Sequence, residues 1–180
     1  MELLKEITEN DVGLKTHKAG SYRLRRSSRA IVLSREGKVA LMYSPRDRCF
    51  WTPGGGIDEG ESVEEALRRE VLEETGCRVR IDCGVGVSIA YIDSLGVIGI
   101  SYCFLAHAVG KPRKLKLTEF EVSAGTMPVW KKDIDDAMKA VAGSQNHSRW
   151  AWARFAKKSD LAFLEKARSI LEQKHGRRAE

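Results

Sequence analysis

No apolar run in the 180 residues approaches the roughly 20 that a membrane-spanning helix needs, so no helical membrane anchor is expected. The opening "MELLKEITENDVG" carries acids and has no basic stretch leading into an apolar one. It therefore does not read as a secretory leader, and a cytoplasmic setting is the expectation. The four cysteines, Cys49, Cys77, Cys83 and Cys103, form no CxxC pair, and no histidine pair stands near them at zinc-finger spacing. Reduced thiols packed as small apolar groups are expected instead. Internal repeats, low-complexity tracts and linker-like segments are all missing. So is any RNA-binding motif with interleaved aromatics, and no nucleic-acid partner is expected.

What is present is ordinary for a globular chain: 42% hydrophobic residues, 31% charged, and a net charge of +6. The positive excess fits an anionic partner without choosing which, and part of it sits in the tail "KHGRRAE". The length suits one domain over 1–180, with a core at about 21–142 and a C-terminal helical segment at about 147–175. Residues 1–20 are weakly patterned. A buried strand is predicted at 30–33, a turn at 36–38 and a second strand at 39–44. Residues 44–56, "SPRDRCFWTPGGG", read as a loop. Two long strands rich in Val and Ile follow a helix, at 78–93 and 96–110, separated by "DSLG". After a basic connection at 111–121 come a short strand at 125–130 and a short helix at 133–142. The final helix is expected to break near Ser159 and Asp160. The fold class is α/β.

The segment "GGIDEGESVEEALRREVLEETGC" sets the functional question. Ser62 and Glu65 form a capping box, Gly76 supplies the stop, and Val63, Ala66, Leu67 and Val71 make an apolar stripe. At about 100° per residue, Glu70 falls about 20° from Val63, Glu74 between Val63 and Leu67, and Glu73 close to Ala66. A solvated acidic face would put these carboxylates on the other side, where Glu64, Glu65 and Arg68 point. Like charges at a partly buried surface repel and are costly to desolvate, so a cation is expected to neutralise them. Carboxylates one turn apart suit a hard ion such as Mg²⁺ or Mn²⁺. Arg69 is placed to fix one carboxylate. Just upstream, Gly54, Gly55 and Gly56 permit close backbone approach to an anion, and the absence of a following Lys-Ser/Thr excludes a P-loop.

These residues resemble the box of the MutT-like Nudix family, Gly-x5-Glu-x7-Arg-Glu-hydrophobic-x-Glu-Glu-x-Gly-hydrophobic. Gly55, Glu61, Arg69, Glu70, Val71, Glu73, Glu74 and Gly76 each fall in place, with Cys77 at the final position and "WTPGG" as the lead-in. The resemblance implies an α/β/α sandwich with a mixed sheet, plus the C-terminal helical extension. It also implies divalent-cation-dependent hydrolysis of a nucleoside diphosphate linked to another group. By that resemblance Glu70, Glu73 and Glu74 hold the metal with the Gly55 carbonyl, Arg69 orients a glutamate, and Glu61 supports the loop–helix geometry or a water-bound metal. It further offers Glu121 as general base, with Glu119 as rival, either of which reads equally well as an exposed loop acid.

Outside the box, Arg46 and Arg48 lie just before the glycines and are the favoured phosphate contacts. Arg23, Arg25, Arg26 and Arg29 read either as a solvated strand edge that discourages sheet pairing or as a cluster of which one or two meet phosphates, and the edge is the favoured reading. Trp51 either stacks on a base or packs under the glycines. Trp150, Trp152 and Phe155 suit core packing or a homodimer interface. His17, His107, His147 and His175 have no metal-ligand partner in sequence. Within the family the tags for ADP-ribose, NADH, coenzyme A and dinucleoside polyphosphates are absent or displaced, which leaves a nucleoside triphosphate by elimination. The alternatives are nucleotide sugars, dinucleoside polyphosphates, or a non-enzymatic nucleotide-sensing or RNA-binding module.

Overall fold

The run "RAIVL" at the end of the second strand alternates between two buried faces, so helices must cover both sides of the sheet. The computed structural model describes residues 1–16, 19–145 and 151–176. In chain order its elements are β1 (Leu3–Ile7), β2 (Arg23–Leu33), β3 (Val39–Ser44), β4 (Cys49–Trp51), β5 (Gly54–Gly56) and α1 (Val63–Thr75). These are followed by β6 (Arg78–Ile92), β7 (Val97–Val109), α2 (Glu119–Ser123), β8 (Met127–Lys131), α3 (Ile134–Ala142) and α4 (Ala151–Gly176). Ala30 and Val32 of β2, with Phe104 and Ala106 of β7, pack on Leu67 and Val71 of α1. Ile31, Leu33, Cys103 and Leu105 face the other way, onto Val141 of α3 and Phe163 and Leu164 of α4. Each fully buried Leu or Val of these layers contributes about 1.5–3 kcal/mol. The result is the expected α/β/α sandwich with a mixed sheet and a C-terminal helix.

The sheet runs β1-β6-β7-β2-β3-β4, with β5 added to β2 and β8 to β3. β2 lies parallel to β7 over its whole length, from Arg23 opposite Val97 to Leu33 opposite His107. Its other edge is divided. β3 pairs with it at Val32 and Leu33, whereas β5 takes over at Ser27, Ser28 and Arg29. This fork separates β3 and β4 from the first half of β2, and the functional residues gather there.

Several elements depart from the sequence reading. β1 was not expected: Leu3, Lys5 and Glu6 are exposed, and its order comes from parallel pairing with β6. The 44–56 loop contains two three-residue strands, β4 paired with β3 and β5 paired with β2. α4 runs unbroken through Ser159 and Asp160, because both side chains are buried and partnered: Ser159 with Ser88 at 2.9 Å, Asp160 with Thr52. β2 pairs with β7 along its whole length but has no strand on its other side before Ser27, so the edge-guarding reading is removed for Arg29 and stands for Arg23, Arg25 and Arg26. The four cysteines are free thiols, three of them buried, as expected. Trp150, His17 and His147 lie outside the described residues. No helix among the described residues is long and apolar enough to cross a membrane.

Candidate active site

Helix α1 begins and ends where its sequence dictates. The Ser62 hydroxyl accepts from the Glu65 amide at 3.2 Å and the Glu65 carboxylate accepts from the Ser62 amide at 2.9 Å. Gly76 closes the helix in the left-handed region at φ 72°. The wheel placement holds: Glu74 is buried, Glu70 and Glu73 are partly buried, and Glu64, Glu65 and Arg68 are exposed. Arg69 is the hub of the outward carboxylates. Its Nε and Nη2 donate to the two oxygens of Glu61 at 2.9 and 2.8 Å, a bidentate pair. Its Nη1 donates to Glu70 at 2.7 Å and its Nη2 to the Gly56 carbonyl at 2.9 Å, while Glu73 stands 3.5 Å away as an ion pair. Glu61 also accepts from the Asp58 amide, so the turn before α1 is tied to the same guanidinium. The Arg69 hydrogen bonds hold the Glu61 carboxyl below its ordinary range. Burial pushes the Glu70 carboxyl up, against the pull of Arg69.

A second centre lies behind the glycines. Gly54 adopts φ 134°, and a Cβ there would collide with the Ser28 carbonyl and the Arg29 backbone. A Cβ on Gly55 would strike the Glu70 carboxylate itself. Only glycine lets β5 lie against both β2 and α1. The Gly54 amide donates to Glu74 Oε2 at 2.6 Å, which turns that carboxyl into the interior, and burial pushes it up to about 8. Arg29 Nη1 donates to the carbonyls of Thr52 at 3.1 Å and Gly54 at 2.8 Å. Asp160, reaching in from α4, accepts from the Thr52 amide at 3.2 Å and its hydroxyl at 2.5 Å. Burial raises the Asp160 carboxyl, opposed by Arg29 and by Thr52. Two fully buried carboxyls thus share the field of one guanidinium.

Beside this centre opens a cleft of about 470 Å³ between β2, β4, α2 and α4. Arg23, Arg25 and Arg29 line it from β2, Phe50 and Trp51 from β4, Phe120 from α2, and Trp152 and Lys157 from α4. Its size and aromatic walls are those of a small-molecule site. Arg25 lies over the Trp152 ring, 5.0 Å from the centroid.

The fold therefore unites Gly54, Gly55, Glu61, Arg69, Glu70, Glu73 and Glu74, with Trp51 close by in the cleft wall. Arg46 and Arg48 do not line that cleft. Arg46 is drawn to Asp47 at 3.4 Å and over the Phe120 ring at 4.8 Å, and Arg48 sits exposed at φ 49°. Glu121 is near enough for its charge to bear on Glu74, but its carboxylate caps α2, accepting from the amide and hydroxyl of Thr118 at 2.7 Å each. Glu119 is exposed. Among the described residues no three His, Cys, Asp or Glu side chains are grouped closely enough to hold a metal ion, since Glu70 is held by Arg69 and Glu74 by Gly54. Sequence reasoning missed Asp160, Thr52 and the role of Arg29. An acid amid the apolar residues of the final helix was the one available signal.

Comparison with known proteins agrees with this geometry. A family model described as the NUDIX domain matches residues 23–124, more than half of the chain. A putative 8-oxo-dGTP diphosphatase of Bacillus subtilis is 40% identical over 58 residues, 32% of this chain and 39% of that protein. An ADP-ribose pyrophosphatase of Methanocaldococcus jannaschii is 35% identical over 83 residues, 44% of this chain and 48% of that protein. The chain thus spans less than half the length of either relative. Among solved structures, a NUDIX hydrolase from Nitrosomonas europaea superposes with a TM-score of 0.60 at 22% identity, over 82% of this chain and 90% of its own. A MutT NUDIX hydrolase from Burkholderia pseudomallei gives 0.51 at 24% identity, over 76% and 97%. At those identities the likeness is one of fold. The family match over β2 to α2, with the Arg69-centred carboxylates and the glycine strand at its heart, establishes that the chain belongs to the Nudix family.

Proposed function

We propose that the protein is a divalent-cation-dependent pyrophosphohydrolase acting on a nucleoside diphosphate linked to another group, with nucleoside triphosphates as the substrate class. The observation that carries this reading is the Arg69 hub, which holds Glu61, Glu70 and the Gly56 carbonyl in one rigid arrangement beside a glycine strand. The residues fit a hard cation. Glu70, Glu73 and the Gly55 carbonyl would make an all-oxygen donor set, and the Glu70 carboxylate lies against Gly55 in the room that a missing Cβ leaves. Glu74 would join that set by leaving the Gly54 amide. A bound Mg²⁺ or Mn²⁺ would neutralise phosphate charge and lower the pKa of the attacking water.

The chain's own contribution is positioning and electrostatics, as phosphoryl chemistry requires. Arg69 fixes the rotamer of Glu70, and Glu61 fixes Arg69. Without a Cβ at 54 to 56, backbone approaches an anhydride closely. The Trp51 ring and the side of the Trp152 ring away from Arg25 offer faces for a base. For proton removal Glu73 is the freer acceptor, since Glu121 must first give up its cap on α2.

The test is turnover of a panel of nucleoside triphosphates, nucleotide sugars and dinucleoside polyphosphates, with and without Mg²⁺. The expected products are a nucleoside monophosphate and pyrophosphate from a triphosphate, formed only with the metal. Full turnover in chelator by protein shown metal-free by elemental analysis would refute the reading.

A further inference from the structure

Arg23, Arg25 and Arg29 share one face of β2, with Ser27 between the last two, and line one cleft on the face that also carries Ile31 and Leu33. Two ordinary explanations of such a row leave its place in the cleft unexplained. Cations guard exposed sheet edges, and the edge of β2 away from β7 is open at Arg23 and Arg25, but both side chains line the cleft. Cations also gather to neutralise acids. Yet no ion pair among the described residues includes Arg23 or Arg25. Among those residues Asp47 is the single acid in the cleft lining, and it pairs with Arg46.

The row is also long. From Arg29 to Arg23 the strand runs about 20 Å. Arg29 is spent on the backbone of Thr52 and Gly54, at the end of the cleft next to α1. Neighbouring phosphates of one anhydride chain lie too close together to reach from that end to Arg23. A phosphate separated from the anhydride by the width of a nucleoside does reach. Arg25 lies over the Trp152 ring, and among the described residues its N–H groups have no hydrogen-bond partner, which leaves them for a bidentate contact. Lys157 adds a third cation from α4, with one of its three donors on the Ser144 carbonyl at 3.0 Å.

We propose that Arg23 and Arg25, with Lys157, bind a second phosphate on the 3′ side of the substrate nucleoside, remote from the anhydride. This rests on the proposed hydrolysis beside α1 and narrows its substrate class to nucleotides phosphorylated on both sides of the ribose. That chemistry has two sources, a free 3′-phosphorylated nucleotide and the 5′ end of an oligonucleotide.

Calorimetric titration of the full chain tests it without turnover, using adenosine and guanosine 5′-monophosphates, their 3′,5′-bisphosphates and the corresponding 5′-phosphorylated dinucleotides. For at least one base the bisphosphate is expected to bind about tenfold or more tightly than the monophosphate, the scale of one charge-assisted contact. Arg23→Gln and Arg25→Gln should each reduce that ratio to about twofold. Arg23 and Arg25 are both exposed, so both variants are expected to retain the fold, and circular dichroism verifies this. A dinucleotide matching the bisphosphate identifies a diester as the ligand, and a weaker one identifies the monoester; both support the site. A ratio near one for both bases, or a ratio unchanged in Arg23→Gln, overturns it. Absence of hydrolysis of every nucleotide would refute the proposed reaction while leaving this binding ratio intact.

Discussion

Two guanidinium groups organise this protein, and they do so in opposite ways. Arg69 gathers Glu61, Glu70, Glu73 and the Gly56 carbonyl, all within α1 and the loop before it, at a partly exposed surface. Arg29 sits between Glu74 and Asp160, buried carboxyls from two different helices, and binds the backbone on either side of Pro53. The first centre presents charge, and the second conceals it. Charge at the first is screened by water and open to a ligand. Charge at the second is desolvated and therefore costly to leave unpaired. We expect catalysis to depend on the first and the placement of the glycine strand on the second.

The largest effect that sharpens this contrast is expected from Glu70→Gln. It should lower kcat by about 10²–10³, the scale of losing one preorganised transition-state contact, while the melting temperature moves by no more than about 3 °C. Steady-state kinetics beside calorimetry measures both, and a large stability loss with retained kcat would break the comparison. Next comes Asp160→Ala, which strands the amide and hydroxyl of Thr52 and is expected to cost about 2–4 kcal/mol of stability. Urea unfolding reads it, and Asp160→Asn should cost less because it keeps an acceptor.

Arg69→Lys removes the fork but keeps the charge, so a loss in kcat of about 10–100-fold is expected, the range for residues that orient a ligand. The smallest effect concerns pH. Glu74 titrates near 4.5 when free and near 8 in the fold, so the folded state holds the extra proton between those values. Stability must then fall as pH rises through that window. In chelator, Glu74→Gln is expected to raise the melting temperature at pH 8 by about 5 °C and to change little at pH 5. Equal shifts at both pH values would contradict the buried, proton-holding role.

The same contrast explains what could be read from sequence. Ser62, Glu65 and Gly76 mark the helix ends because capping is local chemistry, and the wheel placed the glutamates because one helix fixes their mutual angles. Asp160 could not be read that way. Its partner Thr52 lies 108 positions earlier, and an aspartate beside a serine resembles a helix break unless both partners are known. β4 and β5 escaped notice because three-residue strands, one of them all glycine, carry no alternation. Arg46 and Arg48 are well placed only by nearness in sequence to the glycines. The fork between β2 and β3 instead turns Arg23 and Arg25 toward the cleft.

The connection after β7 follows the end of α1 closely: the Arg113 amide donates to the Gly76 carbonyl and the Lys116 amide to the Glu73 carbonyl, each at 2.8 Å. Lys111, Arg113, Lys114 and Lys116 therefore cluster where the peptide dipoles of α1 converge at their negative end. That end also carries Glu73 and Glu74. The basic segment is expected to act as a counter-field to the carbonyl end of the helix before any cation arrives. Its contribution should fade as ionic strength rises and the Debye length shrinks below about 10 Å, so the metal-free protein loses stability with added salt, whereas a neutral helix end would be indifferent.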